Sequence, residues 1–573
     1  MTDAFDEEVD VLVVGSGAGG MSAALAAGAR GKRVLVVEKA SAFGGSSALS
    51  GGGLWIPGAP AQTREGYRPD PDETVTYLEQ LTAGAVSRER LEAYVREGPE
   101  MLRFLEGLDD DLQFVWKPGY PDYYPELPGG SARGSVINIP PIDLRRLGDD
   151  EKLLLKPAGF TPKGFWIKPN ELVDFYRLRQ TFAGKVLFVK LVWRMVRAKL
   201  LGERIVTIGQ ALMARMMLAF RRVGATLWLD SPLVSLITEG DRVVGAVVEH
   251  EGRQVRVRAT GGVVLAAGGF EHDPELRREH QPAADAALSL GAKSNTGDGI
   301  RAAQSVGAKL ELMDSAWWYP CVAWGPGKVV FSLNERMMPA QLIVNGSGKR
   351  YINEATPYSE FGIAMIEGDP DGGSRIPSWL ITDDWSWRRY IVFGHLPIPW
   401  IPFAPAPTGR KPPALWTDSG SLVVADGVDA LAAGMGVPPG RLAAALERYN
   451  RIAGTGVDTD FHRGDSAYDK YYSDITVATP NLLPLHGGPY YAFRLILADL
   501  GTNGGVATDE RARALREDGT AIPGLYATGN VASSVMGRSY AGAGATIGPA
   551  MTFGFIAAND IVDAMEEVQS SAT

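Results

Sequence analysis

The segment that most constrains this chain is DVLVVGSGAGGMSAALAAGARGKRVLVVEKA, residues 10–40. Its first five residues, DVLVV, form a short run that is apolar after Asp10, as is typical of a buried parallel strand, and an Ala-rich helix follows. Between them stands G-x-G-x-x-G, a pattern that allows a tight turn and places phosphates at a helix N-terminus. A second apolar strand ends in Glu38, at about the spacing of an acid that bonds a ribose hydroxyl. The pattern predicts a dinucleotide-binding βαβ unit.

A loop of small residues, FGGSSALSGGG at 43–53, follows where an NAD-binding domain would continue with strands and helices. Small side chains let a backbone lie against a flat ring and its phosphates. Further buried strands with glycine-rich ends are predicted at 261–273 and 524–530. A cofactor that is touched by loops so far apart in sequence is long and extended, which indicates FAD. The FAD-binding domain is therefore expected to be discontinuous.

We predict that these loops and their neighbours contact the cofactor. The predicted contacts are Gly15, Ser16, Gly17, Ala18, Gly20, Glu38, Lys39, Gly44, Gly45, Ser46, Ser47, Gly51, Gly52, Gly53, Val234, Ala267, Gly268, Asp298, Gly529, Asn530, Ala545 and Ile547. The small-residue loop contains no histidine for covalent attachment, so FAD is expected to be bound non-covalently.

A second glycine-rich helix entry is GRSYAGAGATIGPAMTFG, residues 537–554. The exposed N–H groups and positive dipole at such an entry suit an anion or a polarised carbonyl. Tyr540 precedes the small residues. From the residues alone, this tyrosine either packs in a turn or binds a carbonyl oxygen together with the N–H of Gly544.

Composition argues against several classes of ligand. A net charge of −10 argues against nucleic-acid binding, and a single cysteine leaves no Cys-rich metal site, so no metal is expected. A dicarboxylate substrate would need Arg and His ligands, but the chain has only six histidines, which favours a neutral substrate with one polar group. The acidic N-terminus does not resemble a signal peptide, and no apolar run reaches the ~18 residues of a membrane span. A cytoplasmic protein is expected.

The chain resembles flavoproteins related to fumarate reductase and, within them, the 3-ketosteroid Δ1-dehydrogenases. The motifs run in family order over nearly the full length: GSGAGG, FGGSSALSGGG, GYPDYYPELPGG, SNTGDGI, DSAWW, GKRYINEATPY, DLGTNGG, GLYATGN and SYAGAGATIGPAMTFG. The resemblance implies that FAD accepts a hydride from C1 of a 3-ketosteroid while a tyrosine removes a proton from C2. A sterol-derived 3-ketone with a side chain is one substrate that this implies.

The resemblance also implies which residues act. The general base is the tyrosine after EATP, here Tyr358, and an assisting tyrosine lies in the PDYY loop as Tyr123, with Tyr124 left open. Tyr540 and Gly544 hold the ketone oxygen, and Phe331 walls the pocket. The ordinary pKa of tyrosine is about 10, so a tyrosine base is almost wholly neutral at neutral pH. A hydrogen bond donated by the hydroxyl of the assisting tyrosine would favour the phenolate of the base.

Residues 140–225 form an insertion whose segment 175–202 carries seven Lys or Arg and no acid. Lys190, Arg194 and Arg197 recur at helical spacing, while Leu187, Leu191 and Val192 fall on another face. Such a helix either packs on the core with a solvated basic face or lies in a membrane interface. The Pro-rich apolar segment at 395–407 either lines the pocket mouth or touches the same membrane.

Together these observations predict an α/β fold: a discontinuous, Rossmann-like FAD-binding domain at 1–312 and 488–573, and an inserted α+β catalytic capping domain at 313–487. The expected activity is FAD-dependent 1,2-dehydrogenation of a 3-ketosteroid, with a quinone-like or other electron acceptor. Alternatives are 4,5-dehydrogenation or alkene reduction on the same fold, or a non-catalytic flavin-binding protein at a membrane surface. The expected location is the cytoplasm, with association to the inner face of the cell membrane if the basic helix binds lipid.

Overall fold

A computed structural model describes residues 4–157, 164–325, 327–370, 372–399 and 408–572. Two large sheets organise this part of the chain, and two strand pairs and one three-stranded sheet accompany them. The strands are β1 (Glu7–Val14), β2 (Val34–Val37), β3 (Leu54–Trp55), β4 (Val115–Trp116), β5 (Val136–Asn138), β6 (Ile142–Asp143), β7 (Ile205–Val206), β8 (Thr226–Trp228), β9 (Leu233–Glu239), β10 (Arg242–His250), β11 (Arg253–Leu265), β12 (Leu310–Glu311), β13 (Ala316–Ala323), β14 (Val329–Phe331), β15 (Gln341–Val344), β16 (Ser378–Asp383), β17 (Leu422–Ala425), β18 (Tyr490–Thr502), β19 (Gly505–Val506), β20 (Arg513–Leu515) and β21 (Ala521–Ala527).

The α-helices connect and cover these sheets. They are α1 (Ala18–Ala29), α2 (Gly45–Leu49), α3 (Pro60–Arg64), α4 (Pro71–Thr82), α5 (Arg88–Leu108), α6 (Leu172–Tyr176), α7 (Phe182–Leu201), α8 (Ile208–Arg222), α9 (Pro274–His280), α10 (Asp298–Ser305), α11 (Tyr358–Glu367), α12 (Asp384–Arg389), α13 (Ala414–Asp418), α14 (Val428–Met435), α15 (Pro439–Thr455), α16 (Ala467–Tyr471) and α17 (Ile547–Ala572).

The first sheet has a parallel centre. β1 lies between β2 and β11, while β8 and β21 extend the parallel strands on either side. All of β2 and the last four residues of β1 are buried, as expected of parallel strands that are covered on both faces. β9 and β10 continue from β11 as antiparallel strands, and β20 pairs antiparallel with β21. The βαβ unit and both later strands are therefore confirmed.

The C-terminal helix returns to the N-terminal βαβ unit. A Cβ on Gly554 would lie 2.2 Å from the carbonyl oxygen of Gly19, so α17 and α1 approach as closely as two backbones allow. The Ser22 hydroxyl of α1 donates to the carbonyl oxygen of Met551 in α17 at 2.7 Å. The discontinuous FAD-binding domain is thus built from both ends of the chain.

The second sheet forms the capping domain. Its strands run in the order β14-β13-β18-β16-β15, and β17 also pairs with β18. The predicted division at residue 488 precedes β18, yet this strand pairs antiparallel with β13, β16 and β17 along its length. The structure therefore corrects the division: the chain leaves the capping sheet after Thr502 and returns to the first sheet with β20.

The insertion at 140–225 packs against both the FAD-binding and the capping domain. α8 packs against α1 and α2, whereas α7 rests on the capping domain, where Leu187 and Leu191 are buried with Ile391 and Leu396. Residues 158–163 of the insertion and 400–407 of the Pro-rich segment lie outside the described residues. Within the described ranges, no helix has the length and apolar character needed to cross a bilayer.

Candidate active site

The glycine turn after β1 has the geometry that phosphate binding requires. Gly15 has φ +107°, and a Cβ there would lie 2.3 Å from the carbonyl oxygen of Ala266. A Cβ on Gly20 would meet the Gly15 carbonyl oxygen at 2.1 Å, so only glycine permits this approach of helix to strand. Gly17 caps α1 without a side-chain hydrogen bond. The N-terminus of α1 carries the positive end of the helix dipole, which favours an anion there.

Charged residues follow at the ends of the neighbouring strands. The Glu38 carboxylate accepts hydrogen bonds from the Ser16 N–H at 3.0 Å and the Ser16 hydroxyl at 2.6 Å, which fixes it beside the glycine turn. Lys39 pairs with Asp298 at 2.7 Å and donates to the Thr296 hydroxyl. This pair joins the loop after β2 to the N-terminus of α10, where both side chains are partly exposed.

The small-residue loop brings α2 against the same turn. The Ala18 N–H donates to the Ser47 hydroxyl at 3.0 Å. The Ser46 hydroxyl accepts from the N–H of Ala292 at 2.8 Å and from Asn295 Nδ2 at 3.0 Å, which ties this loop to the segment before α10. Gly52 has φ +64°, and a Cβ there would lie 2.3 Å from the carbonyl carbon of Ile208.

These loops and the capping domain enclose a chamber of about 700 Å³. Most of the predicted site residues line it: Gly15, Ser16, Gly17, Ala18, Glu38, Lys39, Gly45, Ser46, Ser47, Gly51, Gly52, Gly53, Tyr123, Ala267, Gly268, Asp298, Phe331, Tyr358, Gly529, Asn530, Tyr540, Gly544 and Ile547. The chamber runs from the glycine turn to the tyrosines, with the N-termini of α1 and α17 on its wall. The residues present therefore fit an extended dinucleotide such as FAD.

Four predicted cofactor residues do not line the chamber. Val234 is 46% exposed, because the alternation of β9 turns it outward, and Leu233 lines the chamber instead. Gly20 and Gly44 support the turn from behind, and the Gly44 N–H donates to the Ser16 hydroxyl at 3.0 Å. Ala545 faces a smaller cavity behind α17.

Three tyrosines that lie far apart in sequence meet at the other end of the chamber. Tyr358 is the first residue of α11, directly after Pro357. Its ring centre lies 5.6 Å from that of Tyr123 and 5.3 Å from that of Tyr540. Phe331 packs edge-on against Tyr358 at 5.0 Å. All three tyrosine side chains are buried and belong to one cluster.

Tyr540 and Gly544 share one turn at the start of α17. The Tyr540 hydroxyl lies 2.9 Å from the Thr546 hydroxyl. Burial raises the pKa of Tyr540, although hydrogen bonds from Thr546, Tyr358 and the Gly544 N–H act in the opposite direction. Gly544 has φ +98°, and a Cβ there would lie 2.4 Å from the carbonyl carbon of Gly53, so the turn excludes any other residue.

The electrostatics of Tyr358 differ from the sequence-based expectation. A hydrogen bond from Tyr123 lowers the pKa of Tyr358, as expected. Burial, the charge of Tyr540 and the hydrogen bond to Tyr540 all raise this pKa, and together they leave it well above the ordinary value. The pairing with Tyr123 therefore assists ionisation but does not by itself produce a phenolate.

The two candidates in the PDYY loop occupy different places. The Tyr123 ring lies in the cluster, and its N–H donates to the Ala541 carbonyl oxygen at 3.0 Å. Tyr124 does not line the chamber and lies beside Glu360, whose charge helps to raise the pKa of Tyr124. The geometry favours Tyr123 as the tyrosine that faces Tyr358.

Several residues of the site were not predicted. Trp317 packs edge-on against Tyr540 at 5.1 Å and donates to Asn530 at 3.2 Å. Tyr468 lies 4.7 Å from Tyr123, ring centre to ring centre. Their segments, DSAWW and AYDKYY, are dense in aromatic residues, but aromatic density alone does not separate a site from a core. Within the described ranges, no group of three His, Cys, Asp or Glu is placed to hold a metal.

Comparison with known proteins shows the family of this chain. The FAD-binding domain family matches residues 10–547. The 3-oxosteroid 1-dehydrogenase of Mycolicibacterium smegmatis is 43% identical, over 97% of each chain. The solved 3-ketosteroid Δ1-dehydrogenase of Sterolibacterium denitrificans, in complex with 1,4-androstadiene-3,17-dione, is 37% identical and covers 97% of this chain and 100% of its own, with a TM-score of 0.88. A 3-ketosteroid Δ4-(5α)-dehydrogenase from Rhodococcus jostii shares the fold at 21% identity, a TM-score of 0.65 and 98% coverage of each chain. The chain belongs to the FAD-binding domain family and, within it, to the 3-oxosteroid 1-dehydrogenases.

Proposed function

We propose that this protein introduces a double bond between C1 and C2 of a 3-ketosteroid. The observation that carries the proposal is the buried meeting of Tyr358, Tyr540 and the Gly544 N–H at the end of a chamber whose other end fits FAD. Two donors on one side and a phenol on the other match the demands of removing a proton next to a ketone. Bound FAD supplies the acceptor for the hydride from C1.

The oxygen of the ketone would lie between the Tyr540 hydroxyl and the Gly544 N–H. As the C2 proton leaves, negative charge develops on this oxygen, and donors already in place stabilise it without reorganisation. Loss of one such donor lowers the rate of the chemical step by about 10²–10³. Thr546, which is hydrogen-bonded to Tyr540, orients that hydroxyl.

Tyr358 would take the C2 proton. Without substrate, its hydrogen bond to Tyr540 is one of the interactions that raise the pKa of Tyr358. A ketone oxygen bound at Tyr540 would replace this contact, while the hydrogen bond from Tyr123, which lowers the pKa, would remain. Substrate binding would thus make Tyr358 a better base at the moment when the C2 proton becomes acidic.

We further propose that α7 rests on a lipid surface at the inner face of the cell membrane. Phe182, Val189, Trp193 and Leu200 are 82%, 66%, 62% and 75% exposed and fall on one helix face. The exposed basic residues Lys185, Lys190 and Lys199 flank this apolar stripe on both sides and complement anionic headgroups. Arg197 is exposed beside them and pairs with Glu203 at 2.8 Å. The stripe is opposite to the buried face of Leu187 and Leu191, two of the residues from which sequence reasoning built the apolar face.

The same insertion lines the chamber. Phe165, Ile167 and Leu172, which precede α7, belong to the chamber wall. A sterol-derived 3-ketone with an apolar side chain could therefore pass from lipid to the tyrosines along apolar surface, and this substrate class is the one that we propose. A quinone-like acceptor dissolved in the same lipid would reoxidise the cofactor.

Anaerobic titration of the holoprotein with a panel of 3-ketosteroids tests the proposal. We expect flavin bleaching followed by a product that has lost two hydrogens, with the new double bond at C1–C2. A double bond at C4–C5 would assign the alternative dehydrogenation. Absence of bleaching with every 3-ketosteroid would favour a non-catalytic flavin-binding protein.

A further inference from the structure

A small second cavity of about 30 Å³ lies behind the N-terminus of α17. This volume is large enough for one or two water molecules. The cavity and the chamber share a thin wall, because the same residues face both: Thr528, Gly529, Asn530, Thr546 and Ala550. Only one layer of residues therefore separates a charge on the small cavity from the chamber in which FAD and the ketone would bind.

Arg90 of α5 places a cation on the small cavity. Its side chain is buried, its Nη2 donates to the carbonyl oxygen of Ser533 at 2.9 Å, and its Nε has no hydrogen-bond partner in the described part of the chain. Burial lowers the pKa of Arg90 to about 10, which still leaves it charged at neutral pH. The acids that act on it, Glu311 and Asp509, are each 2.7 Å from another cation, Lys309 and Arg513.

An acceptor without a partner lines the same cavity. Asn503 is buried; its Nδ2 donates to the Gly537 carbonyl oxygen at 3.1 Å, but its Oδ1 has no partner among the described residues. A buried donor and a buried acceptor on one small polar cavity are the conditions under which ordered water is held. Water there would connect Arg90 to Asn503 without neutralising the charge.

We propose that Arg90 is a positioning residue whose buried charge, transmitted through water held in this cavity, raises the reduction potential of bound FAD. Reduction by a hydride adds two electrons and one proton, so the cofactor gains one negative charge. A buried cation near the N-terminus of α17 favours the charged, reduced state over the oxidised one. The inference rests on the FAD site of the proposed function and not on the identity of the steroid.

The reduction potential of the holoprotein tests this without substrate. Arg90→Met removes the charge, and Asn503→Asp neutralises it in place while Arg90 keeps its hydrogen bond to Ser533. At equal potential of a redox dye, we expect either change to lower the ratio of reduced to oxidised FAD by about tenfold, which is about 30 mV for a two-electron couple. Arg90→Lys keeps the charge and should remain near the parent value.

Arg88→Met is the matched control, since Arg88 lies on the same helix with its side chain 55% exposed and pairs with Glu79 and Glu92. Its loss should leave the ratio within about twofold of the parent because solvent screens exposed charges. A parental ratio in either neutralised variant overturns the proposal. If neither variant folds with FAD, Arg90 is a structural residue and the proposal is rejected. Failure of the steroid assay alone would leave this inference standing.

Discussion

Tyr358 and Tyr540 are neighbours in one buried cluster, yet their surroundings prepare them for different tasks. The Tyr540 hydroxyl is hydrogen-bonded to the Thr546 hydroxyl at 2.9 Å, in the same turn as Gly544. Tyr358 stands at the start of α11, where burial and Tyr540 raise its pKa and a hydrogen bond from Tyr123 lowers it. Because the two side chains differ in partners and not in chemistry, single hydroxyl deletions should separate their roles.

Tyr358→Phe should lower turnover by about 10²–10⁴, the usual contribution of a positioned acid or base. The ring remains against Phe331 and Tyr123, so the shape of the chamber and the binding of a 3-ketosteroid should change little. Single-turnover flavin reduction measures the effect directly.

Two further variants test whether the effect is specific to Tyr358. Tyr540→Phe should lower the rate of flavin reduction by about 10²–10³, because a donor to the ketone oxygen is lost. It should also weaken the spectral response of the flavin to bound ketone. Tyr351→Phe is the control, since the Tyr351 hydroxyl bonds Ser378 in the capping sheet and does not line the chamber. Near-parental flavin reduction in Tyr358→Phe would place the proton acceptor elsewhere.

Tyr123→Phe should shift the pH dependence of flavin reduction to higher pH. The hydrogen bond from Tyr123 lowers the pKa of Tyr358, so its removal raises that pKa. If the active base is the phenolate, the rate increases as Tyr358 ionises, and this rise would then occur at higher pH. The measurement is the rate of flavin reduction across pH in the variant and in the parent. A shift to lower pH, or a loss of rate that is equal at every pH, would show that Tyr123 acts in another way.

At the scale of elements, the parts with strong local signals were predictable. β1, α1 and β2 follow from the apolar strands and the G-x-G-x-x-G turn, since only glycine fits the backbone approach at Gly15 and Gly20. The tyrosine cluster was assigned by family motif, because no local pattern can bring Tyr123, Tyr358 and Tyr540 together. β18 was misassigned because its partners β13 and β16 lie far away in sequence.

α7 is the element for which the structure changes the interpretation most. Sequence spacing grouped Lys190, Arg194 and Arg197 as one basic face. In the structure, the Arg194 guanidinium bonds Glu171 at 2.7 Å and lies over the Trp166 ring at 3.9 Å, so it belongs to the packing of the insertion. A test of lipid binding should therefore leave Arg194 in place and remove the exposed apolar stripe.

The triple variant Phe182→Ser, Trp193→Ser, Leu200→Ser should lose binding to anionic vesicles, because it removes the apolar area that would enter the interface. Turnover of a detergent-soluble 3-ketosteroid should persist, since these side chains point away from the fold. Vesicle co-sedimentation and activity are measured on the same preparation.

The matched control is Val457→Ser, Ile475→Ser, Val568→Ser, three side chains that are 57%, 61% and 68% exposed outside α7. This variant should bind vesicles as the parent does. Equal binding of vesicles by the two triple variants, or no binding by the parent, would show that α7 exposes apolar surface without binding lipid.

At the scale of the whole molecule, the chamber joins parts of the chain that meet only in the fold. The turn after β1, the segment around Asp298 and the start of α17 all line it, together with the capping-domain residues Phe331 and Tyr358. A ligand that spans the chamber therefore holds both ends of the discontinuous domain against each other. This arrangement couples cofactor binding to global stability.

Removal of FAD should lower the unfolding temperature, and added FAD should restore it. A ligand that binds only the folded state stabilises it by about 2.7 kcal/mol at a hundredfold excess over its Kd.

The cofactor should be released by acid into the supernatant, since the small-residue loop that meets it carries no histidine for a covalent bond. FMN is the control: it lacks the adenylate half that would reach Glu38 and Lys39, so it should stabilise the apoprotein less than FAD does. Flavin that stays with the acid-denatured chain would refute non-covalent binding. Equal stabilisation by FMN and FAD would mean that the ligand does not span the chamber from the glycine turn to the tyrosines.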